Sequence, residues 1–244
     1  MIEVEGLTVS YGAGRRTVLA LAGVSLSVAE GELVAVVGPS GCGKSTLLFT
    51  LDGLIPPTQG VVRIGGQMVQ GVRRDVALIL QDAGLLPWKT VLANAELGLR
   101  IQGRRGDVRE VLEELGLAGF ERRYPGELSE GMRRRVGIAR ALALNPKVFL
   151  MDEPMANLDS ITRQRIQDLI LKLWQGFHFT GVLVTHDIEE AVFLGQRIFV
   201  FSPRPGRLVE VVENPEVGTS GYRDSAQFLA RVRHLRQVLV ESGT

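Results

Sequence analysis

Hydrophobic and polar residues alternate in two early stretches of the chain, at 2–9 and 24–28. This alternation predicts strands with one buried face. The uninterrupted apolar run at 33–37 is instead typical of a strand buried on both faces. Further strands are predicted at 61–64, 76–80, 147–151, 181–185 and 198–201.

Helical spacing of apolar residues dominates the middle of the chain. The stretch 91–144 is rich in arginine and glutamate and is interrupted by glycines, and amphipathic helices are predicted at 160–174 and 187–194. Strands that alternate with helices favour an α/β fold with a mainly parallel sheet. Because 91–144 is both preceded and followed by strands of that sheet, we predict that it forms an inserted helical subdomain.

Composition narrows the classes of protein that need considering. The 244 residues are 45% apolar and 23% charged, which is typical of a globular protein, and the net charge of +1 does not call for nucleic acid as a partner. The single cysteine cannot form an internal disulfide, which favours a reducing compartment. No apolar stretch is long enough to span a bilayer, and no signal peptide is expected from the acidic first residues.

The motif GPSGCGKST follows the buried strand 33–37 directly and matches the pattern G-x-x-x-x-G-K-[ST]. Glycines let the backbone turn its N–H groups towards phosphate oxygens, and the next helix adds its positive end. Lys44 is predicted to reach the β and γ phosphates, and Ser45 to bind Mg²⁺. Cys42 is interpreted as a small tolerated residue and not a nucleophile. The predicted nucleotide-binding residues here are Gly38, Pro39, Ser40, Gly41, Cys42, Gly43, Lys44, Ser45 and Thr46.

Two acidic residues, Asp152 and Glu153, end the apolar strand that begins at Val148. Parallel strands deliver their carboxyl ends to the ligand crevice of an α/β sheet. We therefore predict that Asp152 supports Mg²⁺ and that Glu153 polarises an attacking water.

Over residues 1–210 the chain resembles the nucleotide-binding subunit of an ABC transporter. The segment Leu128–Met132, LSEGM, stands where that family has its LSGGQ signature, and RRRVGIARALALNPKVFLMDEP follows it. The fold implied is an α/β P-loop NTPase with a mainly parallel core sheet, an N-terminal antiparallel β part and the inserted helical subdomain. Residues 211–244 are expected to form an extension with an amphipathic helix, since Phe228, Val232, Leu235 and Leu239 have helical spacing.

The resemblance also implies roles for three isolated residues. Gln81 corresponds to the Q-loop glutamine, which touches Mg²⁺ or water and senses the permease. His186 corresponds to the switch histidine that holds the γ phosphate, and Tyr11 to the aromatic residue that stacks on adenine. Without their neighbours, His186 would equally suit a structural histidine and Tyr11 a core or turn residue.

Family members act as head-to-tail dimers, in which one subunit's signature binds the other subunit's ATP. This implies that Ser129 and the backbone near Gly131 contact the γ phosphate of the partner's ATP. Glu130 departs from the pattern because it replaces a glycine, and Met132 replaces a glutamine. A carboxylate there would repel phosphate, so we hypothesise that Glu130 points away and that the backbone still binds.

Residues 81–88 and 201–207 resemble the corresponding segments of nitrate, sulfonate and taurine importers. The implied function is ATP hydrolysis that powers uptake of a small solute, with ATP and Mg²⁺ bound. The implied partners are a second ATPase subunit, an integral-membrane permease and an external solute-binding protein, with the chain peripheral on the cytoplasmic face of the inner membrane. Leu85, Leu86 and Trp88 would line the permease groove, or else cap the helical subdomain.

The alternative function is that of a soluble, non-transport ABC ATPase. DNA-repair members carry a coiled coil or a zinc insert between the Q-loop and the signature, but residues 81–129 contain no heptads and no cysteine pair. The run Arg133–Arg135 is interpreted as a solvated helix face, so no nucleic-acid partner is expected.

Overall fold

A computed structural model describes residues 1–12 and 17–243, so residues 13–16 and 244 of the predicted domains lie outside the described residues. The strands are β1 (Ile2–Tyr11), β2 (Val18–Val28), β3 (Leu33–Val37), β4 (Gln59–Ile64), β5 (Gln67–Met68), β6 (Val76–Ile79), β7 (Val148–Asp152), β8 (Thr180–Val184), β9 (Arg197–Phe201) and β10 (Leu208–Glu213). The helices are α1 (Lys44–Leu51), α2 (Val91–Ala95), α3 (Leu97–Ile101), α4 (Arg109–Glu114), α5 (Glu130–Leu142), α6 (Ser160–Phe177), α7 (Ile188–Leu194) and α8 (Ala226–Ser242).

The core sheet has six strands in the order β10-β9-β3-β8-β7-β6. All neighbouring pairs are parallel except β10 and β9, which are antiparallel. Strands β3, β7 and β8 are completely buried, as their continuous apolar sequences predict. The mainly parallel core of the predicted fold is confirmed.

The N-terminal strands form a separate antiparallel sheet in the order β2-β1-β4-β5. This confirms the predicted antiparallel β part. Strand β2 begins at Val18, six residues before the predicted start at Val24. Its register with β1 shifts at several points, and Gly23 has a φ of +64°, so the simple alternation that marks a strand is interrupted there.

Helix α1 is buried between the two sheets, and the loop before it joins β3 to α1. Val34 and Val36 of β3 face the core shared with α1 and the antiparallel sheet. Leu33, Ala35 and Val37 face the second core, formed with the later helices. Both faces of β3 are therefore covered, and its carboxyl end is held firmly at the site described below.

The C-terminal helix α8 packs against α7 and β9 of the same domain. Its buried face comprises Phe228, Val232, Leu235 and Val238, with Leu239 partly buried beside them. Strand β10 runs across the predicted boundary at residue 210, which stays a prediction. Within the described ranges, every helix is too short or too polar to cross a membrane.

Candidate functional site

The glycine-rich loop after β3 is wrapped around the side chain of Lys44. The Nζ atom of Lys44 donates to the carbonyl oxygens of Gly38 at 2.8 Å and Pro39 at 3.0 Å. Gly43 has a φ of +104°, and a Cβ there would lie 2.7 Å from Leu21 Cδ2. Only glycine suits this position, because both the backbone angle and the lack of space exclude a side chain. Six of the nine predicted nucleotide-binding residues, 38–43, therefore form the loop, and the other three, 44–46, begin α1.

Cys42 is buried inside this loop, with its Sγ atom 4.0 Å from Lys44 Nζ. Burial raises the pKa of the thiol, and the nearby ammonium only partly offsets the rise. A thiol that stays protonated is a poor nucleophile. The surroundings of Cys42 thus agree with its interpretation as a packing residue.

Ser45 and Asp152 meet beneath the phosphate loop, although they are far apart in sequence. The Ser45 hydroxyl donates to Asp152 Oδ1 at 3.1 Å. Burial raises the pKa of Asp152, while the Ser45 hydrogen bond and Lys44 lower it. A hydroxyl beside a carboxylate supplies the hard oxygen ligands that Mg²⁺ prefers, so these residues fit the predicted metal. No cluster of three His, Cys, Asp or Glu suited to a metal occurs in residues 1–12 and 17–243, and the predicted set, which has one carboxylate, does not require one.

Glu153 and His186 come from neighbouring parallel strands. Asp152 of β7 pairs with Val184 of β8, so the residues that follow these strand ends emerge side by side. His186 Nδ1 lies 3.0 Å from Glu153 Oε2. Glu153 has a φ of +45°, an uncommon backbone angle that is held by a hydrogen bond from its N–H to the Val184 carbonyl at 2.9 Å. The carboxylate and the imidazole therefore form a preorganised pair at the sheet edge.

A cavity of about 310 Å³ connects the phosphate loop with Glu153, and His186 is not among the described residues that line it. Its lining includes Lys44, Ser45, Thr46, Glu153 and Tyr11. The Tyr11 hydroxyl shares a hydrogen bond of 3.0 Å with Thr46 Oγ1, which places its ring at the mouth of the cavity. A concave site with a cation at its base and a carboxylate at its side can hold a polyphosphate next to a proton acceptor.

Gln81 lies apart from the Glu153–His186 pair. It follows β6, is exposed and lines a second cavity of about 720 Å³ together with Asp152 and Asn157. This position brings Gln81 towards the carboxylate of the predicted metal site but not into contact with His186. Its catalytic and metal-binding roles therefore stay predictions.

Ser129 caps the N-terminus of α5, and its Oγ accepts from the Met132 N–H at 3.3 Å. The hydroxyl proton of Ser129 is not used by this contact. Gly131 is buried, and a Cβ there would lie 2.6 Å from Thr162 Cγ2 of α6. Neither Ser129 nor Gly131 belongs to the described residues that line the 310 Å³ cavity, so one chain does not bring its own signature to its own phosphate loop.

The family model described as ABC transporter matches residues 21–156. The chain belongs to the ABC transporter family. Taurine import ATP-binding protein TauB of Yersinia pestis is 45% identical over 215 residues, covering 86% of this chain and 83% of that protein. TauB of Burkholderia pseudomallei is 46% identical over 208 residues, covering 83% and 80%. TauB of Escherichia coli O6:H1 is 43% identical over 215 residues, covering 86% and 83%.

Solved structures of this ABC family share the fold. The dimeric, post-hydrolysis structure of the ATP-binding cassette MJ0796 bound to ADP and Pi has a TM-score of 0.77 and 36% identity. The match covers 87% of this chain and 98% of that one. These findings confirm the predicted family, the P-loop NTPase fold and the ATPase class. The similarity to taurine import proteins also confirms the importer group that the sequence resembles.

Arg204 lies at the 310 Å³ cavity, and sequence reasoning did not assign it to the candidate site. It lines the 310 Å³ cavity from the turn after β9. That turn is fixed against the phosphate loop: Gly206 donates to the Ala20 carbonyl at 2.9 Å, and a Cβ on Gly206 would lie 2.1 Å from the Cys42 carbonyl oxygen. The sequence signal was the turn at 203–206, but nothing local showed which loop it packs on.

Glu190 is a second residue that sequence reasoning missed. The residue is 4% exposed, its carboxylate accepts a hydrogen bond from the Thr185 hydroxyl, and it lines a cavity with Glu153 and His186. Burial raises the pKa of Glu190 to about 7, partly offset by the Thr185 hydrogen bond. The only sequence signal was an acidic residue on the apolar face of α7.

We expect Glu190→Gln to change how stability depends on pH. Because the pKa of Glu190 is raised from 4.5 to about 7, the folded state binds more protons than the unfolded state between these values. The free energy of unfolding of the parent should therefore fall as pH rises through this window, by up to about 3 kcal/mol, relative to Glu190→Gln. Urea unfolding at pH 4.5 to 8 measures this. Glu189→Gln, at an exposed neighbour, should keep the parent's profile. Parallel pH profiles for the parent and Glu190→Gln would contradict the expectation.

Proposed function

We propose that the chain is the ATP-hydrolysing subunit of an importer for taurine or a similar small sulfonate. The observation that carries the proposal is the 3.0 Å contact between His186 Nδ1 and Glu153 Oε2, because Glu153 also lines the cavity that contains Lys44. The TauB proteins, which cover most of this chain, support taurine as the solute. The alternative of a soluble, non-transport ABC ATPase has no support from the relatives reported above.

The chemistry divides among the residues of the site. Lys44 and the backbone N–H groups of residues 38–46 bind the β and γ phosphates of ATP. Ser45 and Asp152, with Gln81 nearby, would hold Mg²⁺, which when bound neutralises the developing charge on the phosphates. Tyr11 is placed to stack on the adenine.

Glu153 accepts the proton of the attacking water, and His186 orients the γ phosphate and the water together. Because His186 Nδ1 already contacts the Glu153 carboxylate, the base needs no rearrangement within its own subunit. Buried strands β7 and β8 fix the positions from which both residues emerge.

The active unit in this proposal is a head-to-tail dimer. Ser129 and Gly131 lie outside the chain's own nucleotide cavity, so a second subunit is needed to bring a signature to each ATP. The dimeric state of the MJ0796 structures supports this arrangement. Closing on ATP and opening after hydrolysis would move the helices of a separate permease.

The permease would dock near Trp88, which is 71% exposed, while Leu85 is packed on the core. An exposed indole beside a partly buried leucine suits a groove that receives a helix. In this scheme the chain is peripheral on the cytoplasmic face of the inner membrane, and an external binding protein delivers the solute.

Deletion of the gene in its native host should abolish ATP-dependent uptake of labelled taurine. The wild-type gene should restore uptake, and a gene carrying Glu153→Gln should not. Undiminished taurine uptake in the deletion strain, with loss of another solute's uptake, would refute the assigned solute. Restoration of uptake by Glu153→Gln would refute the hydrolytic role.

A further inference from the structure

Glu130, which replaces a glycine of the family signature, takes part in an unusual set of ion pairs on helix α5. Glu130 is the first residue of α5, beside the free N–H groups of the first helical turn. In the proposed dimer these groups face the γ phosphate of the partner subunit's ATP. A carboxylate free to move here would repel that phosphate and compete for the same N–H groups.

The structure directs this carboxylate to two arginines instead. Arg133 Nε donates to Glu130 Oε2 at 3.1 Å, and its Nη2 contacts the same oxygen. Arg134 Nε lies 3.6 Å from the other oxygen, Oε1. Both carboxylate oxygens therefore face a guanidinium of their own helix, at i+3 and i+4.

Arg134 is only 4% exposed, which is rare for an arginine. Its Nη2 donates to the carbonyl of Ala156 at 3.1 Å, three residues after Glu153. Its Nε and Nη1 have no hydrogen-bond partner among the described residues, and the carboxylate of Glu130, with that of Asp82 as a further contributor, compensates this buried charge. Arg133 is more exposed and also donates to the Leu128 carbonyl at 3.1 Å.

We propose that Arg133 and Arg134 are positioning residues that hold Glu130 against its own helix, so that the α5 N-terminus stays open to the γ phosphate of the partner's ATP. The proposal rests on the head-to-tail dimer of the proposed function. We call Glu130, Arg133 and Arg134 the signature clamp.

The test measures ATP-driven dimerisation in the Glu153→Gln background, where dimers should accumulate. Arg133→Gln with Arg134→Gln should weaken dimerisation by at least about 10-fold, because Glu130 is then unpaired beside the phosphate. Adding Glu130→Gln to that double variant should restore dimerisation to within about threefold of the background protein. Sedimentation velocity at increasing protein concentration, with saturating ATP, gives the dimerisation constants.

Further variants separate positioning from folding. Arg135→Gln removes one charge from the same arginine run, but Arg135 donates to the Leu115 carbonyl at 3.4 Å and does not contact Glu130, so dimerisation should be unchanged. Arg134→Lys keeps the charge and should dimerise like the background protein. Nucleotide binding by each monomer is measured as well, because the clamp is absent from the described lining of the 310 Å³ cavity but lines the 720 Å³ cavity with Gln81 and Asp152. Since the clamp acts on the partner's ATP, the monomer's affinity should stay unchanged. If the double variant does not fold, ATP-driven dimerisation is measured instead for the single variants Arg133→Gln and Glu130→Gln.

Several results would overturn the clamp. One is undiminished dimerisation when Arg133→Gln and Arg134→Gln are combined, and another is a dimerisation defect in that double variant that Glu130→Gln does not repair. A third is dimerisation more than about 10-fold tighter with Glu130→Gln alone. The last result would mean that the carboxylate already repels phosphate in the native protein. Failure of the background protein itself to dimerise with ATP would instead refute the proposed dimeric function.

Discussion

Lys44→Ala is expected to weaken ATP binding by about 100-fold, which corresponds to about 2.7 kcal/mol. The Nζ atom closes the base of the phosphate cavity, where two loop carbonyls already orient it at 2.8 and 3.0 Å. Removing this cation deletes its charge-assisted contacts with the β and γ phosphates. Calorimetric titration with MgATP measures the loss directly.

The same substitution also removes two hydrogen bonds within the free loop, so thermal unfolding must accompany the binding measurement. Lys172→Ala is the matched control, since Lys172 is exposed on α6, far along the chain from the loop. It should bind ATP like the parent. A folded Lys44→Ala variant with affinity within threefold of the parent would exclude Lys44 as a phosphate ligand.

Glu153→Gln is expected to keep ATP affinity but to lower turnover by about 10²- to 10⁴-fold, as the loss of a general base predicts. The amide that replaces the carboxylate can still hydrogen-bond to His186, 3.0 Å away, so the cavity should keep its shape. It cannot take a proton from water. Steady-state phosphate release with saturating MgATP measures turnover, and ATP-loaded dimers should accumulate because opening follows hydrolysis.

Glu110→Gln, on an exposed position of α4, makes the same chemical change away from the site and should leave turnover unchanged. Turnover by Glu153→Gln within threefold of the parent would remove Glu153 as the base. Loss of ATP binding together with turnover would indicate a damaged cavity rather than a missing base.

The sequence predicted those elements whose burial or conformation depends on a continuous run of neighbouring residues. The buried strands β3, β7 and β8 are continuous apolar runs, and the phosphate loop is a contiguous motif, so each was visible in the sequence alone. The contact of Glu153 with His186 depends on β7 lying beside β8 in a fixed register. Hydrophobic periodicity does not show which strands lie side by side. Only the family resemblance predicted that Glu153 and His186 act together.

Features that depend on distant packing were missed. Strand β10 was not predicted, because it is a half-exposed edge strand in which Val209 and Val211 face solvent and the apolar signal is weak. Arg204 reaches the nucleotide cavity only because its turn packs on Cys42 and Ala20. The run 133–135 was interpreted as a solvated face, but the structure buries Arg134, since its ion pair with Glu130 and its bond to Ala156 compensate the charge.

The position of β3 in the core sheet also bears on how the newly made protein matures on the ribosome. Val34 pairs with Val182 on one side and with Arg197 on the other, so both neighbours of β3 are translated long after it. The phosphate loop that follows β3 therefore lacks the two strands that flank β3 in the sheet until most of the chain has emerged. Nascent cassettes are expected to acquire nucleotide only near the end of synthesis, through slow, long-range strand pairing.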